Sequence, residues 1–453
     1  MIFPISPIIM RTTTTIAVIL LATPITAFSQ GGPLVPPPGG PSPAMRTLDH
    51  VEPRVPLVEG APGVTIGAGD SITISQPGSY YLTGNVQITQ NAPGIVIEAS
   101  GVTLDLMGFT LLPPPSGDAR TAISIEGNNV TVKDGHIFSG TIFSEGNSTF
   151  NPSGFQAGIE ADSRLSGITV RDVTVRGVAG DGIVLGLDAT LVRDCTVFIA
   201  GGMGIRAGNV RDSSALTTGS HAITAKVVKD STASCVGNGI GITADIVARC
   251  KASSTGGSGI SAATSVSESE GVSTATVTNR DGILCLNGTV TNSHGSSTSR
   301  HGIRARVISH SVGESTASTT GNGINATHLA AFSTGMSSGS HGVSSGNMVQ
   351  GCYGETTRNS TGTHGIYSDR MVVHSSGSVT GSGLGSGILA QVVVGSQGIT
   401  TDAGRHGIQA TFLTTHSRGL GGTASTSYGI NSPRAVGCSA TNGENITHKF
   451  DMP

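Results

Sequence analysis

Acidic and basic residues recur together in a short motif in the middle of the chain. The motif reads Val-Arg-Asp at 170–172, 192–194 and 210–212, and Val-Lys-Asp at 228–230. Carboxylates held a short distance apart serve as acid and nucleophile in retaining glycosidases, and carboxylate oxygens also bind Ca²⁺. The candidate catalytic residues are therefore Asp172, Asp194, Asp212 and Asp230, with Arg193 and Arg211 beside them.

The same motif has a structural explanation, which we favour. Aspartate is common at bends because its carboxylate accepts hydrogen bonds from nearby backbone amides. Each of the four aspartates directly follows an arginine or a lysine. Neighbouring opposite charges compensate one another, so a ladder of such pairs would be stable without any catalytic role.

A second set of polar residues precedes a recurrent isoleucine by two positions. Its members are Asp181, His221, Asp281, His301, Asn322, His341, His364 and His406. Histidines could bind a metal ion or transfer protons. Only His341 and His364 fall in neighbouring repeats, which is too few for the three or four protein ligands of a zinc site. Because Asp and Asn share the position, we interpret it as a polar bend and predict neither a metal nor a cofactor, with Ca²⁺ reserved for the catalytic alternative.

A repeat of about 21 residues must position these side chains. Isoleucine or valine, nearly always after glycine, recurs at 159, 183, 205, 223, 242, 260, 283, 303, 324, 343, 366, 388, 408 and 430. These 13 steps cover 271 residues, a mean of 20.8. A fixed period of this size is typical of a solenoid, in which each repeat packs only on its neighbours.

Local periodicity predicts strands in each repeat. Small apolar residues recur two positions after the isoleucine, as at Ala207 and Ala225, and larger ones five positions after it, as at Val210 and Val228. An offset of two places both side chains on one face of a strand. The segment 158–183 then reads as three short strands separated by bends, so we predict an all-β parallel β-helix. We expect the Gly-rich bends at which each coil turns to adopt backbone conformations that branched residues resist.

The coils resemble a known group of folds. "GVTLDLMGFTL" (101–111) is similar to the opening coil of right-handed parallel β-helix proteins of the pectate-lyase-like superfamily, and the later coils resemble repeat-bearing secreted bacterial members. Met107 departs from the pattern, since a polar residue is common there. The resemblance covers roughly residues 94–440 and implies the fold, but the same scaffold carries lyases, hydrolases, epimerases and non-catalytic surface proteins.

The chain divides into five predicted segments. They are a signal peptide (1–29), a Pro/Gly-rich linker (30–59) that we expect to be disordered, an N-terminal cap (60–93), a right-handed parallel β-helix of about 16–17 coils (94–440) and a C-terminal tail (441–453). The apolar stretch "IAVILLA" after Arg11 is typical of an export signal and too short for a membrane span. We therefore expect a secreted, extracellular or periplasmic bacterial protein without a transmembrane segment in the mature chain.

Composition narrows the partners. The net charge is −3, which argues against nucleic acid because nucleic-acid binding requires a basic surface. The chain has no Trp and five Tyr, so a long aromatic-lined sugar groove is not expected. Polysaccharides and cell-surface components remain as candidate partners.

The cysteines are predicted to be reduced core residues. Cys195, Cys250, Cys352 and Cys438 share one repeat position, and Cys195 and Cys250 would lie three coils apart. That separation is about 14 Å, and a disulfide requires Cα atoms within about 7 Å. Serines occupy the same position in other coils, so we expect the thiols to replace them.

Two functional hypotheses follow. We favour a secreted non-catalytic β-helix that acts as a surface, adhesive or matrix protein and interacts with glycans. The alternative is a polysaccharide lyase or glycoside hydrolase acting on an acidic polysaccharide, centred on residues 160–230. The irregular stretch 139–156 distinguishes them, because the enzyme needs it as a wall over the aspartate ladder.

Overall fold

The computed structural model describes residues 54–115, 118–277, 279–358, 361–381, 385–401, 405–423, 427–441 and 444–450. The predicted signal peptide and residues 30–53 of the predicted linker lie outside these residues. No helix in the described part of the chain is both long enough and apolar enough to span a bilayer.

The chain folds into a parallel β-solenoid of about 18 coils, which confirms the predicted fold. The isoleucine column starts earlier than the sequence alignment suggested: Ile72 pairs with Ile95, Ile95 with Ile123, and Ile123 with Ile159. These earlier members explain why the coils outnumber the predicted 16–17. Neighbouring strands lie about 4.8 Å apart, so the stack is about 80 Å long.

Each coil contributes strands to three faces. Face A carries the isoleucine column, face B follows it, and face C closes the coil. In the first coils face A consists of Ile72–Ile74, Ile95–Ile97, Asp118–Ile125, Gly154–Ala161 and Ile183–Val184, and face B of Val55–Pro56, Gly78–Tyr81, Val102–Asp105 and Leu191–Arg193. Thr131–Phe138 and Thr169–Val178 run from face B into face C.

Faces A and B merge in the later coils. Single strands or close pairs then cover both: Ile205–Arg211, Ile223–Lys229, Ile242–Ala248, Ile260–Ser267, Ile283–Thr291, Ile303–Ser309, Ile324–Ala331, Val343–Ser345 with Met348–Gln350, Ile366–Ser368 with Met371–Val373, Ile388–Val394, Ile408–Thr415, Ile430–Val436 and Glu444–Phe450. Register shifts between the two faces, for example between Ala305 and Val307, absorb differences in coil length.

Face C is built from short strands. They are Val86–Gln87, Thr110–Leu112, Thr196–Ala200, Ser214–Thr218, Thr232–Cys235, Lys251–Ser254, Glu270–Ser273, His294–Ser297, Val312–Ser315, Thr334–Ser337, Tyr353–Thr356, Ser376–Val379, Gln397–Thr400, Arg418–Leu420 and Ser439–Thr441. Two further elements depart from the stack. Val64–Ile66 pairs antiparallel with Ile72–Ile74, and the 3₁₀ turn Ala68–Asp70 connects the two strands. Ile142–Ser144 pairs antiparallel with Thr149–Asn151 and forms a hairpin.

The glycine before each isoleucine is required by packing. A Cβ on Gly182 would lie 2.5 Å from the carbonyl oxygen of Gly204 in the next coil and 2.5 Å from Cγ1 of Val197. Gly182 does not have a positive φ. The predicted reason, an unusual backbone conformation, is therefore wrong at this position: the missing Cβ lets two coils and the face C side chain approach closely.

Serine side chains join the coils where face B turns into face C. The Ser293 hydroxyl donates to the carbonyl oxygen of Thr291 at 2.7 Å and accepts the N–H of Ser269 from the preceding coil at 3.2 Å. Equivalent bonds are made by Ser213, Ser231, Ser269, Ser311, Ser333, Ser375, Ser396 and Ser417. We call this set the serine ladder; it satisfies buried backbone groups that the strands leave free.

Candidate functional site

The predicted catalytic aspartates stack at the turn from face B to face C. Asp172, Asp194, Asp212 and Asp230 are exposed and occupy equivalent positions in successive coils, about 4.8 Å apart. All four have positive φ, between 48° and 54°. Aspartate tolerates this left-handed conformation better than most residues because its short side chain bonds to local backbone groups. The structure thus brings the four carboxylates together, at a turn with a special backbone.

The same turn recurs in the coils before and after these four. We call this position the corner column. In the coils before and after the four aspartates it holds Asp134, Arg249, Glu268, Asn292, His310, Phe332, Gly351, His374, Gly395, His416 and Gly437, all with φ between 45° and 61°. Acids, bases, an aromatic residue and glycines thus share one backbone conformation. The backbone, and not a common side-chain chemistry, is what the column conserves from coil to coil.

Basic residues pair with the corner aspartates. Arg171 donates to Asp172 at 2.7 Å, and Arg193 lies 4.0 Å from the Asp194 carboxylate. Arg249 donates twice to Asp230, at 2.7 Å for each bond. That hydrogen bond lowers the pKa of Asp230, and the positive charge of Arg211 acts in the same direction. The pKa of Asp230 is thus shifted downward, whereas a catalytic acid needs its pKa raised.

The irregular stretch 139–156 does not cover the aspartates. Its hairpin carries Phe143 and Phe150, whose ring centroids lie 4.9 Å apart. The Phe150 ring reaches the turn from face C to face A, where a Cβ on Gly219 would be 3.2 Å from it. The Thr141 N–H also bonds to the carbonyl oxygen of Gly177 at that turn. The corner column lies at the start of the face C strands, whereas the hairpin contacts the opposite end of these strands.

The polar column before the isoleucines links one coil to the next. The N–H groups of Asn322 and Ser386 donate to Nδ1 of His301 and His364, at 3.0 and 3.1 Å. The same bond is accepted by Nδ1 of His221, His341 and His406, and by a carboxylate or amide oxygen of Asp181, Asp281 and Asn322. Burial lowers the pKa of His301 and of His364 to about 3. Neutral imidazoles that accept backbone N–H bonds fit the predicted structural role.

Metal-ligating residues are not grouped in the described part of the chain. Within the described ranges, no three His, Cys, Asp or Glu side chains converge closely enough to hold a metal ion.

All six cysteines belong to the described residues and are free thiols. Cys195 takes the place of a serine in the serine ladder: its N–H donates to Ser213 Oγ at 3.2 Å, and its Sγ lies 3.2 Å from the Arg193 carbonyl oxygen. Cys250 and Cys352 make the same contacts. Burial raises the pKa of Cys195 to about 12, so this thiol stays protonated and unreactive.

A second group of acids was missed from the sequence. Glu126, Glu160 and Asp162 line a concavity of about 700 Å³ on face A, together with Arg164. Thr121 donates to Glu160 at 3.0 Å, and Arg164 lies 3.5 Å from Asp162. Glu160 directly follows Ile159 in the repeat and therefore points outward. The outward position after the isoleucine was the available signal, since serine, threonine or apolar residues occupy it in many other coils.

Comparisons with known proteins add little to this description. No family model matches the chain, and no curated protein matches it. A search of solved structures aligns it with the A-module of the mannuronan C-5 epimerase AlgE6 of Azotobacter vinelandii, at 11% identity, over 83% of this chain and 91% of that chain. The TM-score is 0.21, so this alignment supports no inference about activity.

Proposed function

We propose that this chain is a secreted, non-catalytic β-helix protein that presents a long surface to polysaccharide and other cell-surface components. The observation that carries the proposal is the corner column. Its backbone conformation is constant while its side chains change from Asp to Arg, Glu, Asn, His, Phe and Gly. A scaffold that keeps its backbone and varies its outward side chains along the axis is suited to an extended contact with a partner.

Other titratable groups also support a structural scaffold. The buried histidines of the polar column accept backbone hydrogen bonds, and the buried cysteines replace serines of the serine ladder. The corner aspartates are exposed, and Asp172, Asp194 and Asp230 lie beside arginines. The buried histidines and cysteines named here thus join coils, and three of the four aspartates lie beside a compensating charge.

The test is a binding assay combined with an activity assay on the purified protein. We expect retention on one or more immobilised polysaccharides, with no change in the length or the saturation of the glycan. Absorbance of unsaturated product and release of reducing ends would report a lyase or a hydrolase. Turnover that is lost on changing acidic residues would overturn the proposal.

The enzyme alternative now has a better location than the aspartate ladder. The face A concavity holds Glu126, Glu160 and Asp162, and it is open to solvent, which favours a lyase or hydrolase site for an acidic polysaccharide. A Glu160→Gln variant that abolishes product formation, next to an Asp194→Asn/Asp212→Asn variant that does not, would assign the activity to face A.

A further inference from the structure

A trough runs along the rod beside the corner column in the last coils. It has a volume of about 510 Å³ and lies between the corner residues and the first outward residues of face C. The corner side is formed by Gly351, His374, Gly395, His416 and Gly437, and the face C side by Tyr353, Ser376, Gln397, Arg418 and Ser439. The serine ladder, with Cys352, forms its floor.

Aromatic rings and glycines alternate in the corner column along the trough, and Phe332 continues this alternation in the coil before it. A Cβ on Gly395 would lie 2.5 Å from Cδ2 of His374 in the preceding coil. A Cβ on Gly351 would lie 2.7 Å from Cδ1 of Phe332, and one on Gly437 would lie 3.1 Å from Cδ2 of His416. Each ring therefore covers the glycine of the following coil.

This alternation sets a repeat of two coils. Phe332, His374 and His416 are all exposed, and each is separated from the next by one glycine coil. Because one coil rises about 4.8 Å, equivalent rings recur about every 9.6 Å along the axis. A linear polysaccharide extended as a two-fold ribbon presents the same sugar face again after one disaccharide, a length comparable to this spacing. Rings at this spacing can each contact the apolar face of one sugar, as aromatic side chains commonly do.

The opposite side of the trough supplies polar groups. Gln397 offers an amide and Arg418 offers a guanidinium suited to a carboxylate, whereas the Tyr353 hydroxyl already donates to the Glu355 carboxylate at 2.9 Å. No carboxylate is among the residues that line the trough. Farther toward the N-terminus, the corresponding groove is lined by Glu268 and Glu270 as well as Arg249 and Lys251. The charge pattern therefore favours an anionic ligand at the C-terminal trough only.

We propose that this trough binds an extended, linear, anionic polysaccharide whose chain runs parallel to the rod axis, with one corner ring under each disaccharide and Arg418 on a carboxylate. This inference rests on the proposed function, because it names the site and the ligand class of a glycan-binding rod. It also differs from the catalytic alternative, whose acids lie on face A.

The experiment measures binding of the full chain to polygalacturonate and alginate by affinity electrophoresis and calorimetry at low salt. A His374→Ala/His416→Ala variant removes two rings, and His328→Ala removes an exposed histidine outside the trough as a matched control. We expect the double variant to bind about tenfold more weakly, a change of about 1.4 kcal/mol, because two ring contacts are lost. The control should bind like the unmodified protein.

A second variant tests the ring geometry without removing a ring. Gly395→Asn keeps a residue that tolerates the positive φ, but its Cβ would displace His374. We expect binding to weaken several-fold while the circular dichroism spectrum and melting temperature stay close to those of the unmodified protein. Arg418→Gln should make binding less sensitive to salt, because one charge contact is lost.

The outcomes separate the inference from the proposed function. If the unmodified protein binds polyuronates and the ring variants bind equally well, the trough is not the site and the inference fails alone. Equal affinity for an uncharged linear glucan would overturn the anionic assignment. Failure of the unmodified protein to bind any polysaccharide would overturn the proposed function, and the inference with it.

Discussion

A backbone N–H that donates to Nδ1 of a histidine fixes the neutral form of its ring. His301 and His364 are both buried and both accept such a bond from the next coil, so the ring proton resides on Nε2. His301 Nε2 lies 3.1 Å from Nδ2 of Asn325, so this amide must be turned by 180° for its oxygen to accept the ring proton. Protonation at Nδ1 would place a proton against the N–H of the next coil and break the link between the coils.

The protein should therefore lose stability in mild acid. The pKa of His301 and of His364 is about 3 in the folded state, against 6.5 for the free side chain. Between these values the unfolded state binds more protons, so stability is complete above pH 6.5 and falls as the pH drops toward 3. In a His301→Asn/His364→Asn variant, which copies Asn322 of the same column, we expect the free energy of unfolding to change less with pH. Urea titrations at pH 7 and pH 4.5 measure the free energy of unfolding of both proteins. If both lose the same amount of stability at pH 4.5, the prediction is contradicted.

Asp281 should have the opposite pH dependence. It is 1% exposed, and burial raises its pKa from 3.8 to about 6. The folded state binds more protons between these values, so this group lowers stability as the pH rises through that window and most strongly above pH 6. Asp281→Asn keeps the acceptor for the His301 N–H and removes the buried charge. We expect a gain of about 1 kcal/mol or more at pH 7 that vanishes near pH 4.

The matched control for Asp281 is Asp181. It accepts the N–H of Met203 in the same column at 2.7 Å, but it is only half-buried. Asp181→Asn should leave the free energy of unfolding nearly unchanged at both pH values. A gain as large as that of Asp281→Asn would show that burial of the charge is not the cause.

At the scale of the element, the turn from face B to face C selects residues by backbone conformation. Asp194 has φ 53° and the corresponding Gly351 has φ 61°. A branched residue in this region is strained by about 1–2 kcal/mol. We expect Asp194→Asn and Asp194→Gly to unfold near the original denaturant concentration, and Asp194→Val to be destabilised by about that amount. Equal stability of all three variants would show that the turn tolerates any side chain.

This turn also bears on tests of catalysis. Alanine at Asp194 or Asp212 would remove the carboxylate and strain the turn together, so lost activity would have two explanations. Asparagine removes the charge and keeps the conformation. It is therefore the better substitution for deciding between the two functional hypotheses.

The sequence predicted the elements well where a side chain is repeated. The isoleucine column, the bend at Arg171 and Asp172, and the exchange of serine for cysteine all depend on like residues at one position. The corner column was recognised only where it holds aspartate. Phe332, His374 and Gly395 share nothing with aspartate except the backbone angle, and that angle is not visible in a residue type.

Other features depend on the third dimension alone. Phe150 belongs to a hairpin that has no counterpart in the repeat. Its contact with the turn at Gly219 could therefore not be predicted from periodicity. Glu126, Glu160 and Asp162 come from two coils and a loop, and their common concavity depends on how those coils stack. Ile72 and Ile95 continue the column across irregular spacings of 23 and 28 residues, which hide the period.

At the scale of the whole molecule, each coil contacts mainly its two neighbours, so one coil should be removable. Ile223 and Thr224 occupy the same positions in their coil as Ile242 and Thr243 in the next one. Deleting residues 224–242 therefore joins Ile223 directly to Thr243 and keeps the register. We expect the shortened chain to keep a β-sheet spectrum and a single unfolding transition, with a slightly lower melting temperature. Deleting only 224–232 shifts the register by half a coil and should abolish folding. If both deletions behave alike, the coils are not equivalent units.

The serine ladder ties each coil only to the next one, as in the bonds of Ser293 to Thr291 and to Ser269. The longer side-chain bonds named in the described residues, such as that of Lys226 to Asp188, also join nearby coils. Under tension applied to the two ends, no tie between distant coils of this part would have to rupture first. It should peel from an end in increments of about 20 residues, each releasing on the order of 70 Å of extended chain. A recording from an optical trap would then show a staircase of small, similar steps, and each step would count one turn of the solenoid.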